Sequence, residues 1–245
     1  MEKINFPLFI GSKNRLLFPM HKLVKNAYLF VEPQNFSDYQ NLHGKRFKVI
    51  NIEKNNQGFA YLCNYMLNFA EKKNFKYYVF CDDDVFGFKR KDKKPASLNE
   101  FYQKGVKICD EKNYSQLMMS FAGHNWYYKG KFKEKIGAWC CEINRTKNLK
   151  AVGGYDKELE IFNDWDISAV LILKGYTTAC WYDYMFLHKM KSLKGGAMEI
   201  YKKQEKLKEA IKLLRIKYGK DCIREVKAHN QVEARFRWSL LKKGI

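Results

Sequence analysis

The chain has 245 residues, of which 46% are hydrophobic and 29% are charged, proportions typical of a globular protein with a sizeable core. Its 15 glycines and four prolines are too few for a collagen-like or low-complexity chain. The 46 basic and 26 acidic side chains leave a formal net charge of +20, which indicates a negatively charged partner.

The N-terminal segment and the cysteines favour a soluble protein in a reducing compartment. The segment lacks the apolar stretch and small-residue cleavage site of a signal peptide, and no run approaches the roughly 20 apolar residues that cross a bilayer. The seven cysteines are odd in number and show no CxxC spacing, which favours free thiols. We therefore expect a cytoplasmic protein with no membrane partner, in the host cytoplasm if the chain is viral.

Short β-type runs alternate with polar or helical segments along the first ninety residues or so. A helix is predicted from Phe59 to Ala70, because apolar residues recur there at three- and four-residue spacing. Strands are predicted where β-branched and aromatic residues are bounded by turn formers. These strands lie at residues 7–10, 27–31, 47–52 and 77–81. The alternation predicts an α/β fold with a mostly parallel twisted sheet flanked by helices.

The second half of the chain alternates less regularly. Helices are predicted at about 98–112 and from Asp164 to Gly175, where the glycine is suited to a C-cap. Strands are predicted at 116–121, at 137–143 and in the aromatic stretch from 177.

The last quarter of the chain is the most basic part. One long helix is predicted from 197 to 218, because Leu207, Ile211 and Leu214 share a face. Residues 185–245 contain 17 basic and 6 acidic side chains, so they carry 17 − 6 = +11 of the net charge. We expect one domain over 1–196, with a basic C-terminal helix and tail over 197–245 packed on it.

Three acidic residues follow directly on the strand predicted at 77–81. In an extended chain Asp82 and Asp84 project from one face, about 6.6–6.8 Å apart at their backbones, while Asp83 points the other way. Two carboxylates can then converge on one divalent cation, Mn²⁺ or Mg²⁺, at the end of the sheet where ligands bind. The alternative is a solvated acidic turn that pairs with neighbouring bases.

Asp164 and Asp166 open a predicted helix. Carboxylates at this position can cap free N–H groups and interact favourably with the helix dipole. A carboxylate held there can also act as a general base if it faces a cleft. The sequence leaves both roles open.

His188 follows an aromatic, strand-like stretch and precedes a loop that contains lysines and a glycine pair. A lone histidine is more often a packed or surface residue than a ligand. In this context it could complete a metal site, while lysines and backbone amides of the following loop approach a phosphate.

Five segments of the chain, in this order, resemble motifs of the glycosyltransferases with the GT-A fold, which use nucleotide sugars. The resemblance spans roughly residues 6–196 and implies that fold and that activity. The segments are PLFIGSKNR, NNQGFAYLCNYM, FCDDDVF, AVGGYDKELEIFNDWDISAVLILKGY and HKMKSLKGG.

The resemblance also implies roles for the matching residues. Asp82, Asp84 and His188 would bind Mn²⁺ or Mg²⁺ at the diphosphate of a UDP-sugar. Asp164, with Asp166 beside it, would be the catalytic base of an inverting enzyme or would position substrate in a retaining one. The donor would be held by Ser12, Arg15, Gln57, Gly58, Asn64, Asp82, Asp83, Lys194, Gly195 and Gly196.

Within that superfamily, the three consecutive aspartates and the HxxxSxxGG ending most resemble the TET-associated glycosyltransferases of bacteriophages. This narrower resemblance implies that the acceptor is a 5-hydroxymethylated pyrimidine in DNA, and the net charge of +20 agrees with a DNA partner. The aromatic run at 124–128 would stack on an extruded base, or it packs in the core.

Three alternatives remain open from the sequence. The acceptor could be a glycan or a protein instead of DNA. Residues 82–85 also match the DxDx[TV] signature of haloacid-dehalogenase-like phosphatases, although that motif normally follows the first strand of the fold. The third alternative is a basic DNA-binding protein whose transferase core is inactive.

Overall fold

The computed structural model describes residues 1–123, 128–188, 204–228 and 231–241. The strands are β1 (Glu2–Lys3), β2 (Leu8–Ser12), β3 (Val24–Lys25), β4 (Tyr28–Val31), β5 (Lys48–Asn51), β6 (Tyr77–Asp82), β7 (Val85–Arg90), β8 (Tyr114–Phe121), β9 (Phe132–Glu134), β10 (Cys141–Arg145), β11 (Thr177–His188), β12 (Ile223–Ala228) and β13 (Gln231–Phe236). The helices are α1 (Pro33–His43), α2 (Phe59–Lys72), α3 (Leu98–Glu111), α4 (Thr146–Ala151), α5 (Asn163–Leu173) and α6 (Gln204–Tyr218). No helix in these ranges is both long and apolar enough to cross a membrane.

A nine-stranded mixed sheet forms the centre of the fold. Eight strands follow the order β5-β4-β2-β6-β10-β8-β11-β7, and β9 pairs with β11. Six strands run in one direction, whereas β7, β9 and β10 run against their neighbours. The prediction of an α/β fold with a mostly parallel sheet flanked by helices is therefore confirmed.

The sheet has a hydrophobic core on each face, because successive side chains of a strand point to opposite sides. On one face Ile10 and Val79 pack with Phe101 of α3. On the other face Phe9 and Phe80 pack with residues of α2, α4 and α5. The β6 strand thus brings its last residues to a position between two layers of helices.

The C-terminal elements form a third cluster on the outer side of α5. Leu207, Ile211 and Leu214 of α6 are buried there, together with residues of α5 and of the β12–β13 hairpin. The helix predicted from 197 is described only from Gln204 onward, and the hairpin after it is an element that the sequence pattern did not predict. Some of the basic charge attaches α6 to the domain, since Lys206 pairs with Glu160.

Candidate active site

The aspartates at the end of β6 point to opposite faces of the sheet. Asp83 is 7% exposed and lies on the α1 side, where it accepts a hydrogen bond of 2.5 Å from Ser12 Oγ and pairs with the guanidinium of Arg15. Burial raises the pKa of Asp83 to about 6 against the opposing effect of Arg15. Asp82 lies on the side of α2 and α5, as strand alternation predicts. Asp83 and Asp84 thus pair with a neighbouring base, as the alternative interpretation expects, but they are mostly buried and do not form a solvated turn.

His188 meets Asp84 at the same end of the sheet. His188 ends β11 and lies opposite Val85 in the antiparallel pairing of β11 with β7. Its Nε2 atom is 2.7 Å from Asp84 Oδ1, while Arg15 Nη1 is 3.8 Å from the other carboxylate oxygen. Burial lowers the pKa of His188, but its hydrogen bond to Asp84 and the charges of Asp84 and Asp82 outweigh burial and raise it.

Asp82 completes a group of side chains whose chemistry fits a divalent cation. A carboxylate oxygen of Asp82 lies within 4.8 Å of a ring nitrogen of His188. Burial, and then the charge of Asp84, raise the pKa of Asp82 to about 8. The carboxylates of Asp82 and Asp84 bring an excess of negative charge that a cation would neutralise. Two carboxylates and one imidazole form a set of donors that Mn²⁺ accepts, and the carboxylate oxygens also suit Mg²⁺. The residues predicted to bind metal are thus brought together.

Asp164 lies at the start of α5, the helix that packs on the same face of the sheet as Phe80. It is half-buried, its Oδ1 accepts the N–H of Trp165 at 2.9 Å, and burial raises its pKa to about 6. Besides burial, the charges of Asp82, Asp84 and Asp164 raise the pKa of the Cys140 thiol, so all three carboxylates act on that thiol. Asp164 therefore shares the electrostatic environment of Cys140 with two of the residues predicted to bind metal.

Asp166 faces α6 instead. It is 1% exposed, accepts a hydrogen bond from the hydroxyl of Tyr218 and pairs with Lys217 at 2.5 Å. Lys217 also contacts Asp156 at 2.8 Å. Asp166 thus connects α5 to α6, and the structure does not bring it to Asp164's side of the helix.

The residues predicted to hold the donor have several different environments. Gly58 precedes α2 with a φ of +83°, and a Cβ at that position would have no heavy atom within 4 Å, so space is open beside it. Gln57 is exposed and donates to the carbonyl of Asn55. Asn64 instead binds the backbone N–H and carbonyl of Tyr155, at 2.9 and 2.7 Å. Ser12 and Arg15 both contact Asp83, and residues 194–196 lie outside the described ranges.

Two residues that the charges of Asp82 and Asp164 affect were missed by the sequence analysis. Cys140 precedes β10, and Glu142 lies within it, 2% exposed, with a pKa that burial raises well above the ordinary value. Among the described residues, Oε2 of Glu142 has no hydrogen-bond partner. An acid within the apolar run AWCCEIN was the available signal, but only the pairing of β10 with β6 places it opposite Phe80, on the same face of the sheet as Asp82.

Comparisons with known proteins place the fold. No protein-family model matches the chain, and no curated protein matches it. Its structure is similar to residues 1–349 of S. aureus TarS, with a TM-score of 0.55 and 14% identity over 88% of this chain and 65% of that one. It is also similar to the mannosyltransferase PcManGT from Pyrobaculum calidifontis in complex with GDP-Man and Mn²⁺, with a TM-score of 0.60 and 13% identity over 85% of this chain and 64% of that one.

The chain has the GT-A fold of these two structures. It spans slightly less than two thirds of the length of each. Asp82 ends the fourth strand of the main sheet in chain order, whereas the phosphatase signature follows the first strand. The order of strands therefore argues against the haloacid-dehalogenase alternative.

Proposed function

We propose that this protein is a metal-dependent glycosyltransferase that moves a sugar from a UDP-sugar to a hydroxyl acceptor. The observation that carries the proposal is the convergence of Asp82, Asp84 and His188 at the carboxyl end of the sheet. A neighbour with the same fold binds GDP-Man and Mn²⁺. The choice of UDP as the nucleotide comes from the sequence resemblance.

The residues of the proposed active site have different roles in the reaction. Asp82, Asp84 and His188 would hold Mn²⁺ or Mg²⁺, which when bound offsets negative charge on the departing nucleoside diphosphate. The acceptor oxygen forms a bond to the anomeric carbon, and the bond from that carbon to the diphosphate oxygen breaks with its electron pair. In an inverting reaction Asp164 takes the acceptor proton, whereas in a retaining one it positions the substrate.

We further propose that the acceptor is a 5-hydroxymethylated pyrimidine in DNA. The net charge of +20 favours a polyanionic acceptor. A surface cavity of about 600 Å³ borders the β7–β11 pair at Arg90, six residues and so about 20 Å along β7 from Asp84 at 3.4 Å per residue. This cavity is remote from the proposed centre but offers a place for phosphates farther along the same DNA, although Asp92, Glu111 and Asp183 also line it. Its basic lining residues are Arg90, Lys91, Lys104, Lys107 and Lys131.

The aromatic run contributes less to this proposal. Residues 124–127 lie outside the described ranges, and Tyr128 packs against Tyr182 with ring centroids 4.2 Å apart. The hydroxyl of Tyr128 donates to the carbonyl of Phe132 at 2.7 Å. Tyr128 is therefore a packed residue, and the proposal for DNA depends on charge and on the sequence resemblance.

One experiment tests the activity and the acceptor together. The protein is incubated with Mn²⁺, a panel of nucleotide sugars, and oligonucleotides with either hydroxymethylated or plain pyrimidines. We expect a mass increment of one sugar on the hydroxymethylated oligonucleotide alone. UDP release with no DNA product would refute the DNA acceptor but retain the transferase. DNA binding without release of any nucleotide would favour the non-catalytic DNA-binding alternative.

A further inference from the structure

A thiol lies among the side chains proposed to bind the cation. One ligand atom from each of Asp82, Cys140 and His188, namely a carboxylate oxygen, Sγ and a ring nitrogen, lies within 4.8 Å of the other two. These residues belong to three separate parts of the sheet. Their meeting follows from strand order and not from any sequence motif.

The position of Cys140 is fixed by the register of two strands. In the antiparallel pairing of β10 with β6, Cys141 is opposite Cys81, and the N–H of Asp82 donates to the carbonyl of Cys140 at 2.9 Å. Cys140 is thus opposite Asp82, and residues opposite each other in a sheet place their side chains on the same face. Cys81 and Cys141 are fully buried on the other face.

Cys140 also differs from the other cysteines in its exposure. The structure describes all seven cysteines, and six of them are buried, whereas Cys140 is partly exposed. Cys140 is thus the cysteine that keeps some contact with solvent, from which a dissolved ion would come.

The donor atoms can reach one ion with small side-chain rotations. Zinc binds thiolate sulfur at about 2.3 Å and imidazole nitrogen at about 2.0–2.1 Å, so tetrahedral donors lie about 3.5 Å apart. The separations here, at most 4.8 Å, exceed that distance by little more than 1 Å. A set of thiolate, imidazole and carboxylate is characteristic of zinc sites, whereas Mg²⁺ and Mn²⁺ prefer oxygen donors.

We propose that Cys140 is a ligand in this cation site and makes it selective for thiophilic cations such as Zn²⁺ and Co²⁺. The inference rests on the proposed function, because Cys140 would share the cation site proposed for Asp82 and His188. On binding, the thiol releases its proton to solvent and the sulfur forms a bond to the ion. The site therefore binds Zn²⁺ more tightly than two carboxylates and a histidine alone would.

The test uses Co²⁺ and Zn²⁺ as probes of the whole protein, with Cys140→Ala and the matched control Cys141→Ala. The control changes the adjacent cysteine, whose side chain is on the opposite face of the sheet. Thermal unfolding of both variants establishes that they are folded. We expect a thiolate-to-cobalt charge-transfer band in the wild type and in Cys141→Ala, and none in Cys140→Ala.

Chelator competition provides a second readout. We expect the affinity for Zn²⁺ to fall at least about tenfold in Cys140→Ala, with a change of less than about threefold for Mn²⁺. A charge-transfer band retained by Cys140→Ala, or an unchanged affinity for Zn²⁺, would overturn the inference. Mn²⁺-dependent UDP release in the same samples tests the proposed function separately, because that release does not require a sulfur ligand.

Discussion

The Nε2 atom of His188 lies 2.7 Å from Oδ1 of Asp84, although 104 residues separate the two in the chain. The contact depends on β11 and β7, which pair antiparallel so that His188 lies opposite Val85. Asp84 directly precedes Val85, and the end of one strand therefore meets the start of the other. A carboxylate and an imidazole held in this way need little rearrangement to share an ion.

Replacing Asp84 by Asn tests the cation site with little change of shape. The amide keeps the volume of the side chain but loses the charge, so we expect the affinity for Mn²⁺ to fall about 100-fold or more and sugar transfer to be lost. Titration calorimetry with Mn²⁺ and assay of UDP release measure the two effects. Asp38→Asn, at an exposed position of α1, is the charge-matched control. Undiminished turnover by Asp84→Asn in the presence of EDTA would refute the metal role.

The proposed role of Asp164 as the base predicts a specific dependence of activity on pH. Burial raises its pKa to about 6, and a general base acts only when it is ionised. We therefore expect kcat/KM to rise with pH through about 6 and then to level off. Asp164→Asn should lower the rate about 10²–10⁴-fold, and the rise of kcat/KM with pH should disappear in this variant. A profile in which the variant retains the same rise would assign the ionisation to another group.

The same group affects stability with the opposite dependence on pH. The pKa of Asp164 is higher in the folded than in the unfolded protein, so the folded state binds the proton more tightly. Ionisation of Asp164 therefore lowers the free energy of unfolding. We expect the free energy of unfolding to fall as pH rises from about 4 to about 6 relative to the Asp164→Asn variant. Denaturant unfolding of the metal-free protein and the variant at several pH values measures the difference.

Asp166 and Tyr218 should matter for stability and not for chemistry. Asp166 is 1% exposed and Tyr218 is 6% exposed, and their hydrogen bond joins α5 to α6. Tyr218→Phe leaves a buried carboxylate oxygen without this donor, so we expect unfolding to become easier by about 1–3 kcal/mol. The activity per folded molecule at 25 °C should stay the same. A loss of kcat with unchanged stability would place Asp166 in the catalytic machinery after all.

The sequence predicted the elements that have a local signal. The spacing from Phe59 to Ala70 corresponds to α2, and the aromatic run before Asp82 is β6. The β11 strand extends beyond the predicted stretch to His188, because its later residues pair with β7, a strand that the pattern did not predict. Pairing between distant segments leaves no periodic signal in either one.

The candidate site shows the same division between local and long-range information. The acids of residues 82–84 were apparent because they interrupt an apolar strand, whereas Cys140 resembled any other buried cysteine. Only the register of β10 on β6 shows that Cys140 lies opposite Asp82. Likewise, Asp164 and Asp166 are equivalent in sequence, and it is the packing of α6 that assigns Asp166 to Lys217.

The proposed DNA partner predicts a particular dependence on salt. Each phosphate contact contributes about −0.9 to the slope of log affinity against log salt concentration. Lys91 and Lys107 are both exposed and line the 600 Å³ cavity, so replacing both by Gln should make the slope shallower by about 1.8. Lys212→Gln, on the exposed face of α6, is the control and should leave contacts in the cavity unchanged. Fluorescence anisotropy with a labelled oligonucleotide at several salt concentrations gives the slopes, and an identical slope for the double variant would exclude this cavity as the phosphate-binding surface.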